Sequence, residues 1–177
     1  MTEKEIKEIV VISGKGGTGK TSITASFAAL AENAVLADCD VDAADLHLIL
    51  NPSNTEKNLF VSGNIAEIRE DDCGGCGVCY DYCRFDAITA SGNGKYRVEE
   101  TSCEGCGVCV EFCPDKAIDF PPRECGEWYV SDTRFGIMVH AKLLPGGENS
   151  GKLVSLVRNE AKKSALINNR NLIITDG

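Results

Sequence analysis

Positive charge is scarce: 18 Lys and Arg stand against 27 Asp and Glu, giving a formal net charge of −9 and a pI near 4.7. Binding to a nucleic-acid backbone needs clustered cations to neutralise phosphate, so that class is excluded, and anionic membrane surfaces are disfavoured on the same ground. Long apolar runs are missing as well, since no stretch approaches the ~18 residues of a membrane span. The opening Thr2-Glu3-Lys4-Glu5 is polar and acidic, unlike a secretory leader, and the expected location is the cytoplasm. Histidine is nearly absent, with two in the chain, and His140 has no second histidine at ligand spacing, so it reads as a packed or surface residue. Ten cysteines in such a chain point to metal rather than to a disulfide framework. At 177 residues there is room for one medium domain or two small ones.

The stretch that organises the rest is Gly14-Lys15-Gly16-Gly17-Thr18-Gly19-Lys20-Thr21, after the apolar run Ile9-Val10-Val11-Ile12 and before a helix-like segment. That context reads as a P-loop. Its glycines let successive backbone N–H groups face one concavity, where they and the following helix N-terminus hold phosphate oxygens. Lys20 then reaches the β- and γ-phosphates of ATP, or the β-phosphate of ADP, and the Thr21 hydroxyl coordinates Mg²⁺.

Around it, residues 6–13 read as a buried parallel strand, and the following helix sets Ile23, Phe27 and Leu30 on one apolar face toward a sheet. Residues 34–37 form a second strand, ending at Asp38-Cys39-Asp40-Val41-Asp42. Carboxylates just past a strand end beside a P-loop can orient attacking water or hold hydrated Mg²⁺, and Asp40 is the first choice. Asp42 reads as a cap for a helix over 43–50, and Cys39 as a small buried residue. Beyond Pro52 a weakly patterned linker is expected.

The chain then repeats itself with a period of thirty residues, as CGGCGVCYDYCRFDAI and CEGCGVCVEFCPDKAI. Each copy carries C-x2-C-x2-C-x3-C, the bacterial ferredoxin spacing in which the fourth cysteine of each run serves the other cluster. Three close thiolates cap one face of a cubane and the fourth iron takes its ligand from elsewhere. Cys73, Cys76, Cys79 and Cys113 are therefore assigned to one 4Fe-4S cluster, and Cys103, Cys106, Cys109 and Cys83 to the other. Two zinc sites are the alternative, but zinc motifs pair two C-x2-C units across a longer gap. Pro114 follows Cys113 as the signature asks, whereas Arg84 follows Cys83. Cys125 is left over as a structural or incidental thiol. Later segments read as two strands, a helix over 152–166 with Leu153, Leu156, Val157 and Ala161 on one face, and a closing strand ending in Asp176.

Lys15, the extra lysine at the start of GKGGTGKT, makes this loop similar to the deviant Walker A loop of the MinD/ParA family. The resemblance extends to DCDVDAADL, similar to that family's switch I, and to Asp176 at the end of a Walker B-like strand. It implies an α/β fold, a P-loop parallel sheet with helices on both faces, interrupted by an inserted α+β two-cluster ferredoxin domain. The implied division is 1–60, 61–121 and 122–177. It further implies that Lys15 reaches a partner's ATP across a nucleotide-bound homodimer, that Asp40 lies by the γ-phosphate with Asp38 as a Mg²⁺ or structural partner, and that Asp176 holds Mg²⁺ through water beside Thr21. The expected role is nucleotide-gated electron transfer through the clusters to a redox partner protein. The alternatives are an iron–sulfur scaffold or carrier and, further off, a MinD-like positioning protein. Members of the family continue past the Walker B aspartate, so the sequence is expected to be a fragment with weak nucleotide affinity and little ATPase activity.

Overall fold

The computed structural model describes residues 5–15 and 17–177, so Gly16 of the glycine-rich loop lies outside the described residues. The chain divides into two compact units, the first formed by 1–60, 126–143 and 150–177, the second by 61–125 and 144–149.

In the first unit the apolar runs pair into one sheet, but the buried strand expected over 6–13 is corrected: it spans Lys7–Val11 and is largely exposed, because it lies at the sheet's edge. Strands β1 (Lys7–Val11), β2 (Ala34–Asp38), β9 (Gly136–Leu143) and β10 (Leu172–Asp176) form a parallel set in the order β1-β10-β2-β9. The sheet continues with β8 (Pro122–Thr133), which joins β9 antiparallel, and β3 (Ser53–Asn64) is the next strand beyond it. It is therefore a mixed α/β arrangement with a mostly parallel sheet. Every residue of β2 is buried, as its central position demands, while β1 lies at the edge with Ile9 and Val10 44% and 47% exposed. The expected linker after Pro52 is thus corrected: residues 53–64 are a strand, and an edge strand with polar solvent-facing positions carries little apolar pattern.

Helix α1 (Lys20–Leu30) corrects a further expectation. Its buried residues are Thr24, Ala25 and Ala28, whereas Ile23, Phe27 and Leu30 face outward, Leu30 being 81% exposed. Small side chains at 24, 25 and 28 let the helix approach β10 closely and bring the Thr24 hydroxyl to a buried carboxylate, which larger residues would prevent. Ala25 and Ala28 pack with Leu36, Met138 and Ile174 and with Leu46 and Leu50 of α2 (Leu46–Leu50). Helix α5 (Ser150–Ile167) packs on β2 and β9 with Leu153, Val157, Ala161 and Ala165 buried. Since Val35 and Ile173 alternate with Leu36 and Ile174, it covers the opposite face.

The second unit is built twice over from the repeat. Helices α3 (Val78–Tyr82) and α4 (Val108–Phe112) pack together, each preceded by a 3-10 turn, Glu70–Asp72 and Glu100–Ser102. Strand β4 (Glu67–Ile68) pairs with β7 (Ile118–Asp119), and β5 (Ile88–Ala90) with β6 (Tyr96–Val98), both antiparallel. A small core of Ala66, Cys79, Ile88 and Ile118 joins the halves. The loop 144–149 belongs to this unit. Leu144 N–H donates to the Cys125 carbonyl at 2.9 Å, and the Arg123 guanidinium to the Gly146 carbonyl at 2.7 Å.

Candidate functional sites

In the first unit, strand register aligns the acids. Val11 stands opposite Asp176, Asp176 opposite Asp38, and Asp38 opposite His140, so the carboxyl ends of adjacent strands meet beside the glycine-rich loop. Lys20, the first residue of α1, extends its ammonium to 3.0 Å from Asp176 Oδ1 and 3.2 Å from Asp40 Oδ2. Burial opposes its charge, but hydrogen bonds and attraction from Asp176 and Asp40 outweigh that and hold its pKa above the ordinary lysine value. Thr24, not singled out from the sequence, donates to Asp176 Oδ1 at 3.1 Å. It lies one helical turn past Lys20, which is the signal that could have found it.

A cavity beside this cluster is lined by Ser13, Gly14, Lys15, Lys20, Cys39, Asp40, Asp42 and Gly177, with Ser150, Gly151 and Val154 from α5. Gly17 and Gly19 have φ of 77° and 87°, with open space where a Cβ would stand, so it is backbone conformation that requires glycine there. Neither they nor Thr18, Thr21, Asp38 and Asp176 line the cavity. Asp38 is fully buried, its carboxylate accepting from the N–H groups of Asp40 and Leu46, each at 3.2 Å. Burial, with the charge of Asp176 adding to it, pushes its pKa up to about 7 against those two hydrogen bonds. The expected helix over 43–50 starts at Leu46 instead. Asp38, not Asp42, receives its first N–H, because β2 ends directly beneath it. Cys39 is half-buried rather than buried, and burial, then Asp38, raises its thiol to about 11. His140 is packed, stacked on Tyr129 at 4.8 Å and on His47 at 5.8 Å, and burial lowers its pKa to about 4.

In the second unit two cavities are ringed by cysteine. One is bordered by Cys73, Cys76, Cys79 and Cys113, the other by Cys103, Cys106, Cys109 and Cys83. Each ring thus draws three residues from one copy of the repeat and its fourth from the other. The loops bend through Gly75 and Gly105, with φ of 74° and 62°, where a Cβ would collide with the carbonyls of Gly94 and Asn64. Tyr96 closes over one ring beside Gly77, and the Phe120 ring lies 3.3 Å from where a Gly107 Cβ would stand. Ala117 N–H donates to Cys113 Sγ at 3.3 Å, a backbone donor on a ring sulfur. Burial raises the Cys109 thiol to about 11 and, less far, that of Cys79. Among the described residues no group of His, Cys, Asp or Glu is gathered as a single metal ion would need. Four soft thiol donors around an apolar hollow, with a backbone amide on sulfur, fit a polynuclear iron–sulfur group. Cys125 is fully buried and its thiol donates to the Ser62 carbonyl at 3.0 Å.

Residues 66–120 match the 4Fe-4S dicluster domain, so the chain carries an iron–sulfur, ferredoxin-like domain of the dicluster class. Over 161 residues it is also 39% identical to an uncharacterized protein of Methanocaldococcus jannaschii, a match covering 89% of this chain. The chain spans about half the length of that curated relative, 56% of which is matched. No described helix is long and apolar enough to cross a membrane.

Proposed function

We propose that the protein is a nucleotide-gated electron carrier, passing electrons through two 4Fe-4S clusters under control of ATP bound at the glycine-rich loop. The observation that carries the electron-transfer half is the crossed pair of cysteine rings. In this reading Cys73, Cys76, Cys79 and Cys113 hold one cluster, and Cys103, Cys106, Cys109 and Cys83 the other. When bound, each cluster supplies a one-electron carrier. The chain's part is to hold it with thiolates, limit water with Tyr96 and Phe120, and present backbone donors to sulfur.

The nucleotide half rests on a cation held ready beside two carboxylates. Lys20, paired with Asp40 and Asp176, would exchange those partners for phosphate oxygens. Gly14, Gly16, Gly17, Thr18 and Gly19 would supply backbone donors, Thr21 and Asp176 would hold Mg²⁺, and Asp38 would fix the loop that carries Asp40. Lys15, exposed at the cavity rim, would reach the ATP of a second copy, coupling nucleotide to dimerisation. Such gating serves an unidentified redox partner protein, in the cytoplasm.

The test is calorimetry with Mg-ATP on anaerobically prepared protein, with iron measured on the same sample and light scattering with and without ATP. Expected are about eight irons per chain, ATP binding that disappears in Lys20→Ala, and in Lys15→Ala binding retained with ATP-dependent dimerisation lost. Full iron loading with no ATP binding would remove the gating and leave a plain electron carrier. Transfer of intact clusters to an acceptor apoprotein would favour a scaffold or carrier.

A further inference from the structure

We propose that Arg123 makes the cluster held by Cys103, Cys106, Cys109 and Cys83 the preferred seat of the first electron, by raising its reduction potential above its neighbour's. The inference rests on reading both rings as 4Fe-4S sites.

Arg123 is 9% exposed, and its guanidinium donates to three carbonyls: Cys103 at 2.7 Å, Glu100 at 2.8 Å and Gly146 at 2.7 Å. Among the described residues no carboxylate is paired with it. A buried, unneutralised cation therefore sits on the peptide of a cluster ligand. Adding an electron adds negative charge, and a cation in poorly solvated surroundings stabilises that charge far more than one in water.

The repeat supplies its own comparison. Glu70 corresponds to Glu100, and its carbonyl accepts instead from the Lys95 ammonium, in a solvent-exposed hydrogen bond. Water screens that charge. Asp115 also borders the first ring and takes the Gly74 N–H at 3.1 Å, placing a carboxylate there and diverting an amide that could otherwise face sulfur. Glu104 borders the second ring, but it is exposed like Asp115, so the two acids offset one another and the buried cation decides the ordering. Burial of Arg123 is what breaks the symmetry of the two halves.

The same contacts could merely stitch the Glu100–Ser102 turn to its ligand loop, so the experiment separates charge from shape. Reductive titration of the full chain, followed by EPR under anaerobic conditions, should resolve two midpoints. In Arg123→Met the upper one should fall toward the lower with iron content unchanged. Arg123→Lys, which keeps charge and loses the fork, should retain most of the gap, while Asp115→Asn should raise the lower midpoint. An unchanged gap in Arg123→Met, or equal collapse in Arg123→Met and Arg123→Lys, overturns the proposal. Should Arg123→Met lose iron, the other two variants decide, and a collapsed gap in Arg123→Lys with both midpoints unmoved in Asp115→Asn counts against it. Equal midpoints in the unaltered protein overturn this inference alone, whereas a chain that takes up no clusters overturns the underlying reading.

Discussion

Lys20 Nζ lies 3.0 Å from Asp176 Oδ1, although the two residues come from near opposite ends of the sequence. The same oxygen accepts from Thr24, and the Lys20 and Asp176 side chains are 11% and 1% exposed. The pair forms only when β10 slots between β1 and β2, so the ammonium and the seating of β10 in the sheet depend on each other.

Asp40 would still partner Lys20 if Asp176 were removed, but Asp176, 1% exposed, has its ion pair with Lys20 and loses it when Lys20 goes. Lys20→Met should cost about 3 kcal/mol in denaturant unfolding, and adding Asp176→Asn should recover part of that loss. Strict additivity of the two changes would show that the pair is energetically uncoupled.

Crossed ligation predicts an asymmetric injury. Cys113→Ser should damage the cluster otherwise held by Cys73, Cys76 and Cys79 and spare more of its neighbour, read as loss of one EPR signal with roughly half the iron retained. Equal loss of both in a folded protein would argue for separate, uncrossed sites.

Gly105→Ala places a Cβ against the Asn64 carbonyl at a φ of 62°. It should destabilise the cysteine-bearing unit by more than about 1 kcal/mol and weaken cluster retention there. Gly92→Ala, with nothing within 4 Å of its Cβ and no left-handed φ, should be close to neutral in the same thermal melts.

His140 makes the first unit sensitive to acid. Its pKa is lowered from 6.5 to about 4, so between those values the unfolded chain binds a proton that the folded one refuses. Stability from this residue is present above pH 6.5 and lost as pH falls toward 4, by at most about 3 kcal/mol. Asp38, raised from 3.8 to about 7, acts in the opposite sense: its contribution is full below pH 3.8 and fades as pH rises through 7. The two oppose each other across the shared window. Chemical unfolding of His140→Phe at several pH values should therefore show stability rising toward pH 4 relative to the unaltered chain, and parallel pH profiles would refute the assignment.

The cysteine rings were legible because ligand spacing is a covalent property of the sequence, and the repeat named both halves. The glycine-rich loop and the strand ends at Asp38 and Asp176 were legible for a similar reason, since short motifs need no distant information. The outward turn of Ile23, Phe27 and Leu30 was not. Helical spacing identifies an apolar face but not which face the sheet takes, and here a buried hydroxyl bond from Thr24 to Asp176 fixes the rotation. Residues 53–64 carry too few apolar positions to announce a strand, since an edge position asks little of the side chains. Arg123 escaped notice because its partners are carbonyls, which leave no trace in residue type.

The sharing of Cys83 and Cys113 between rings also imposes an order in time. A nascent chain that has emerged only as far as Cys83 holds the four thiols of the first copy but not the four that border one hollow, since Cys113 is still to come. Neither hollow is bordered by its full set until both copies have left the ribosome. Metal loading at these rings is consequently a late event that commits both halves together, and two separate copies of a single thirty-residue segment, meeting as a pair, would offer the same eight sulfurs.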